Sequence, residues 1–179
     1  ASVRTIRAQR VEGRTVLDGR LDEPFWQRAD KASDFSVIYS SKTAAVRKTV
    51  GRVAYDDDNL FVGVDCLEPR MDLLKRITAK SSGKFDYHEG ETVEIFLDVA
   101  HNRKEFFQIL VNTNGSWVTH TTQAMQLRNV EIYPAVQFRE DGFSIEVKIP
   151  FAVLHLRPGQ NRTWGFNITR ARMIEGIPG

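Results

Sequence analysis

The sequence has 179 residues, 41% hydrophobic and 27% charged, enough for one domain with a sizeable core and too few for two ordinary ones. With 25 Lys and Arg against 23 Asp and Glu the formal charge is only +2, so a nucleic-acid partner, which prefers a clustered basic face, is not expected. No stretch approaches the roughly 20 consecutive apolar residues of a membrane helix, and membrane insertion is not expected either.

In chain order, Arg4, Arg7, Arg10 and Arg14 are interrupted by Glu12 and Asp18 and read as a solvated strand. "LDEPFWQRAD" predicts a short helix with Asp22 as N-cap, Pro24 in the first turn, and Phe25, Trp26 and Ala29 facing inward. Trp26 is therefore expected in the core. The runs "TVGRVAYD", "NLFVGVDCLE", "ETVEIFLDV", "EFFQILVNT", "SWVTHTTQA", "EIYPAVQFRE", "GFSIEVKIP" and "TWGFNITRARM" read as strands, set apart by turn signals such as Asn114-Gly115 and Asp141-Gly142. "PFAVLHL" predicts a second short helical turn. Asp56-Asp57-Asp58-Asn59 lacks the glycine and distal glutamate of an EF-hand and reads as a turn. The lone Cys66 lies in a strand-like run, as a buried inert thiol would. Many strands without interleaved long helices mean an antiparallel sandwich or barrel. Without repeats or linkers, 1–179 reads as a single domain.

"DYHEGETVEIFLD" places five carboxylates in residues 86–98: Asp86, Glu89, Glu91, Glu94 and Asp98. Within it Val93, Ile95, Leu97 and Val99 alternate with Glu94, Phe96 and Asp98, so one row faces the core and the other faces away. The next strand offers Phe107, Ile109 and Val111 inward, and Phe106, Gln108, Leu110 and Asn112 outward. Keeping the apolar rows together pairs Glu94 with Leu110 and Phe96 with Gln108, since a one-residue slip would bury the polar rows. Asn114-Gly115 then predicts a two-residue type I′ hairpin, with Asn112 opposite Trp117 and Leu110 opposite Thr119. Glu94, Gln108, Asn112, Thr119 and Trp117 would share one face. An acceptor, two amides, a hydroxyl and an aromatic plane suit a sugar, whose hydroxyls need paired partners and whose ring needs an apolar surface. A wet outer face, or one covered by another segment, accounts for the same pattern.

Catalytic signals are missing. Glu94 and Asp98 lie four residues apart on one strand, roughly 13 Å at ~3.3 Å per residue, whereas glycosidase carboxylates sit about 5–9.5 Å apart. No nucleophile elbow, zincin, Walker or dinucleotide motif occurs. His88, His101, His120 and His155 are not spaced as a zinc cluster.

"VLDGRLDEPFW", "VAYDDDNLFVGVDCLEP", "ETVEIFLD", "QILVNTNG", "GFSIEVKIPF" and "WGFNITR", in that order, resemble family 9 carbohydrate-binding modules and their DOMON-like relatives from about Val16 to Arg172. The resemblance implies an all-β fold, a sandwich of two antiparallel sheets with one or two short helices, non-catalytic and usually appended to secreted polysaccharide-degrading enzymes. Members hold sugars, often at chain ends, between two tryptophans, and bind structural calcium. By position, the family's binding glutamate matches Glu94 and its asparagine matches Asn112. The first sandwich tryptophan falls near His88, with Tyr87 beside it as a substitute, and a binding arginine falls at Leu110. The second tryptophan belongs to a segment beyond "WGFNITRARM", and the family's closing strand is expected to be missing. Trp164 looks structural in the family.

The expected function is a shallow carbohydrate-binding face formed by Glu94, Gln108, Asn112 and Trp117, with His88. Asp86, Glu89 and Glu91 are candidate ligands for a structural calcium ion, and no organic cofactor is expected. The implied partners are an oligo- or polysaccharide and a catalytic domain in the same parent protein, in an extracellular or periplasmic setting of the bacterial secreted type. Two readings compete: a DOMON-like haem or redox domain pairing Met71, Met125 or Met173 with a histidine, and an interaction sandwich that has lost its sugar site.

Overall fold

The alternating runs pair into two antiparallel-dominated sheets stacked face to face. The computed structural model describes residues 4–37, 40–45, 47–122, 131–154 and 163–173. Its strands are β1 (Gln9–Arg10), β2 (Ser36–Val37), β3 (Ser40–Ala44), β4 (Thr49–Tyr55), β5 (Asn59–Leu67), β6 (Glu91–Asp98), β7 (Phe107–Asn112), β8 (Trp117–Thr121), β9 (Tyr133–Phe138), β10 (Gly142–Pro150) and β11 (Gly165–Arg172). One sheet has the order β1-β4-β5-β10-β9 and the other β11-β6-β7-β8, while β2 and β3 form a separate ribbon. The short β1 runs parallel to β4, so the N-terminal arginine stretch contributes only two residues of strand.

The period-two pattern explains why these sheets stack. Val93, Ile95 and Leu97 of β6 and Phe107, Ile109 and Val111 of β7 meet Val62, Val64, Ile145 and Val147 of the opposing sheet in one buried cluster. Rows of apolar side chains on facing sheets interdigitate in this way in a sandwich. The larger sheet is also covered on its far side. There α1 (Pro24–Arg28) sets Phe25 and Trp26 against Ala54 and Phe61, which is why β5 is buried along most of its length rather than alternately. Trp26 is fully buried, as its helical spacing suggests. The N-cap differs from expectation. Glu23, not Asp22, caps the helix, without a side-chain cap bond, and its Oε1 instead accepts the Val16 N–H at 3.1 Å.

A second helix, α2 (Met71–Ala79), was not expected from the sequence. It buries Met71 and Leu74 and rests Leu73 and Ile77 against the core. Its signal was the apolar spacing at 71, 74 and 77 directly after Pro69, half hidden by Asp72, Lys75 and Arg76. Phe151–Leu154 form the predicted short helical turn. Cys66 is buried, and burial pushes its thiol up to about 12, which keeps it protonated and unreactive.

At one end of the sandwich a buried charge cluster joins the sheets. Arg172 of β11 donates to both carboxylate oxygens of Glu68, at 2.7 and 3.0 Å, and Arg170 donates to Glu91 Oε2 at 2.6 Å. Arg170 also reaches the Leu67 carbonyl at 3.0 Å and lies over the Phe143 ring. Burial, the largest single influence, would raise Glu68, but the bonds from Arg172, Glu91 and the Arg70 N–H together with the Arg172 charge outweigh it and take the carboxyl to about 2. Removing one member leaves a charge stranded in a low-dielectric interior. Arg172→Ala is therefore expected to cost about 3–5 kcal/mol, read as a lower urea midpoint with unchanged slope.

Glu146 on β10 is wholly buried beneath the N-terminal segment, where Gly19 N–H donates to its Oε2 at 3.3 Å. Burial, reinforced by Glu23, pushes its carboxyl up to about 7. Burial likewise pushes Glu91 up to about 7 against the pull of Arg170. A folded-state value above the unfolded ~4.3 means that the native state holds the proton more tightly. That stability is fully present below the unfolded value and is lost as pH rises toward about 7. The melting temperature is expected to fall across this window, and Glu146→Gln to reduce the slope.

Candidate binding face

The candidate site lies on the outer face of the four-stranded sheet. The β6–β7 register is the expected one, with Glu94 opposite Leu110 and Phe96 opposite Gln108. On β11, Thr169 pairs with Glu94 and Asn167 with Phe96, so these two point the same way. Gln108 Nε2 donates to Glu94 Oε2 at 2.6 Å, and the Tyr87 hydroxyl donates to Oε1 at 3.3 Å. The carboxylate is thus held upright between an amide and a phenol. Tyr87 remains 37% exposed, its ring edge-on to Phe85 with centroids 5.3 Å apart. Burial and the neighbouring Glu94 charge both raise the Tyr87 phenol above its ordinary value.

The β7–β8 hairpin departs from expectation. Asn112 N–H donates to the Ser116 carbonyl and Gly115 N–H to the Asn112 carbonyl, both at 2.9 Å, so the loop has three residues rather than two. Gly115 supplies the positive φ, +84°, that such a loop needs in its last position. The Asn112 side chain selects this geometry by accepting the Asn114 N–H at 3.0 Å, a local turn in which side chain replaces backbone. The register therefore moves by one. Val111 faces Trp117 and Ile109 faces Thr119, while Gln108 faces His120. A shift of one residue exchanges the faces of a strand. Trp117 and Thr119 consequently point inward, Trp117 packing partly buried against the core. Val118 and the exposed His120 take their places outside.

Asn112 is also unlike its expected role. It is fully buried, and its Nδ2 donates to the Asp86 carbonyl at 2.9 Å. The segment 81–90 is pinned back over this end of the face, with Asn114 Nδ2 reaching the Lys84 carbonyl at 3.3 Å. At Gly90, φ +143°, any Cβ would lie 2.3 Å from Thr113 Oγ1, so only glycine lets the segment pass so close. Leu110 is buried as well. His88 stands exposed in the same segment, its backbone N–H donating to Asp86 Oδ1 at 2.8 Å.

The five carboxylates of 86–98 separate into five jobs. Asp86 caps the turn at His88. Glu89 accepts Ser81 Oγ at 2.7 Å and Ser82 N–H at 3.0 Å, and the serine bond holds its carboxyl below the usual range. Glu91 is the buried partner of Arg170 rather than a loop residue. Glu94 faces outward, and Asp98 accepts the backbone N–H groups of Asn102 and Arg103 at 3.1 and 2.7 Å. Calcium needs six to eight oxygens converging on one point. Asp86, Glu89 and Glu91 do not fit it: each is committed elsewhere, and no three acidic, histidine or cysteine residues converge among the described residues. Met71 is core, Met173 and the histidines 88, 101 and 120 are exposed. Met125 and His155 lie outside the described residues.

A two-sheet sandwich whose outer face displays a clamped carboxylate beside an exposed aromatic ring belongs to the class of ligand-binding β-sandwich modules. The chain is a member of the carbohydrate family 9 binding domain-like family, whose model matches residues 17–172. That family is non-catalytic, and this domain is a carbohydrate-binding module rather than an enzyme. Solved structures share the fold. A family 9 carbohydrate-binding module from Caldicellulosiruptor kristjanssonii in complex with glucose has a TM-score of 0.61 at 21% identity, over 89% of this chain and 76% of that one. Its complex with cellotriose gives 0.60 at 23%, over 90% and 75%. A proposed carbohydrate-binding protein from Bacteroides uniformis gives 0.58 at 11%, over 97% and 94%. No curated protein matches the sequence significantly.

Because Trp117 packs inward, Trp117→Ala is expected to lower stability by about 2–3 kcal/mol, somewhat less than a fully buried tryptophan. Chemical denaturation reads the loss, and calorimetric titration is expected to show unchanged saccharide affinity.

Proposed function

We propose that this module holds a saccharide against the outer face of the four-stranded sheet, with Glu94 as the central acceptor. The observation that carries this is the Glu94 carboxylate itself, fixed by Gln108 and Tyr87 beside an exposed tyrosine ring. A carboxylate in place before the ligand arrives accepts two sugar hydroxyls without losing side-chain freedom on binding. Tyr87 offers the flat apolar surface that the C–H face of a pyranose needs. Gln108 Oε1, Thr169 and His120 add polar groups around it. This set replaces the expected one in part: Glu94 and Gln108 stay, His88 is a rim residue, Asn112 anchors segment 81–90, and Trp117 belongs to the core. The glucose and cellotriose complexes of the family members favour a neutral glucan as the first ligand to try. An extracellular or periplasmic setting beside a polysaccharide-degrading domain is the context that fits such a module.

Isothermal titration with cello-oligosaccharides tests the assignment. Tyr87→Ala is expected to weaken binding about tenfold, the equivalent of one aromatic contact. Glu94→Ala should cost about 2–3 kcal/mol through the loss of charge-assisted hydrogen bonds. Unchanged affinity in both variants would refute the site.

A further inference from the structure

We infer that the ligand is an internal stretch of a glycan lying lengthwise along β6, with Phe106 as a second platform at the far end of the same face. This rests on the proposed saccharide site at Glu94 and extends it to a place that the sequence did not point to.

The outer row of β6 runs Glu94, Phe96, Asp98. Phe106 immediately precedes Phe107, which pairs with Leu97, and so stands level with Asp98. Its ring leans on Phe96 with centroids 5.8 Å apart at 58°, yet it stays 37% exposed. Tyr87 is 37% exposed at the Glu94 end. The strand positions beside the two exposed rings, 94 and 98, are four residues apart, roughly 13 Å at ~3.3 Å per residue. One pyranose ring cannot touch both.

Beside Phe106 the face is open and mainly apolar, edged by polar and charged side chains. Phe96, Phe106, Asn167 and Arg103 line a shallow depression of about 260 Å³ at the Phe106 end. Asn167 is exposed on the strand next to Phe96, with donor and acceptor both available. The depression is built on an ordered loop. Asp98 ties down the backbone of Asn102 and Arg103, and Asn102 Oδ1 accepts the N–H groups of Lys104 and Glu105 at 2.9 and 3.0 Å. Phe106 is thus positioned before binding, as a platform must be if it is to contribute affinity. The Thr92 end of the row is closed by segment 81–90, held there by Asn112 and Asn114, whereas Phe106 at the other end is exposed. A chain that rests on Glu94 and Tyr87 and follows β6 away from segment 81–90 reaches Phe106.

The test uses the intact protein and three neutral series, cello-, xylo- and manno-oligosaccharides, from mono- to hexasaccharide. A duplicate set has its reducing ends opened to alditols with borohydride. Affinity is expected to climb with chain length, and the hexasaccharide to bind equally well after reduction. Phe106→Ala should remove about five- to tenfold from the longer ligands and nothing from the shortest, as one exposed aromatic contact predicts. Asn167→Ala, a milder change at an exposed position, should act in the same sense. If Phe106→Ala and Asn167→Ala leave the length dependence intact, or if reduction abolishes binding, the lengthwise mode is wrong. Weakening by Glu94→Ala at every length would still uphold the site itself in that case. No binding by any series would overturn both.

Discussion

The buried ionic cluster of Glu68, Glu91, Arg170 and Arg172 fixes how the two sheets meet, and the rest of the molecule is registered from it. Glu68 follows the last strand residue of β5, Glu91 opens β6, and the two arginines close β11. The cluster therefore locks three strand ends at one edge of the sandwich. Its members are polar, mutually bonded and enclosed, so the arrangement tolerates little displacement before one of them loses its partner. Apolar packing between the sheets is less particular about position. Hydrophobic rows bring the sheets together, and the ion cluster chooses their alignment.

The same lock sets the start of β6 and, with it, the direction in which segment 81–90 arrives. That segment is fastened almost wholly by side chains: Asn112 and Asn114 to its backbone carbonyls, Glu89 to its serines, Tyr87 to Glu94. Two asparagines that could have met a ligand serve instead as anchors for the wall of the site. The functional face is thereby shifted along the strand, away from the end where Asn112 is covered and toward Gln108, Phe96 and Asn167. Relatives can share a sheet and differ in where on it they bind, because loops decide which part is left open.

Much of this was legible in the sequence. Alternation in β6 and β7 allows one register only, and the structure has it. The eight strand-like runs correspond to strands, and Trp26, Trp164 and Cys66 are packed as their surroundings imply. What the sequence concealed was decided by side chains acting on backbone. Asn-Gly has a local preference for a two-residue turn, but the Asn112 carboxamide two residues earlier stabilises a three-residue loop, and that single residue sends Trp117 to the opposite face. Helix α2 was masked because its charged flank dilutes a short apolar stripe. Glu91 reads as one acid among five, and only its distant arginine partners on β11 distinguish it. Phe106 looks like a strand residue of no special interest until its neighbour across the sheet is known.

The inward placement of the tryptophans has a spectroscopic corollary. Trp26 is enclosed beneath α1, Trp117 packs against the core, and Trp164 meets Phe151 edge-on with centroids 6.2 Å apart. Indole emission from this domain is a gauge of interior packing, blind to what rests on the sheet. Tyrosine absorbance, through the ring of Tyr87, is the intrinsic signal that sits where a ligand would.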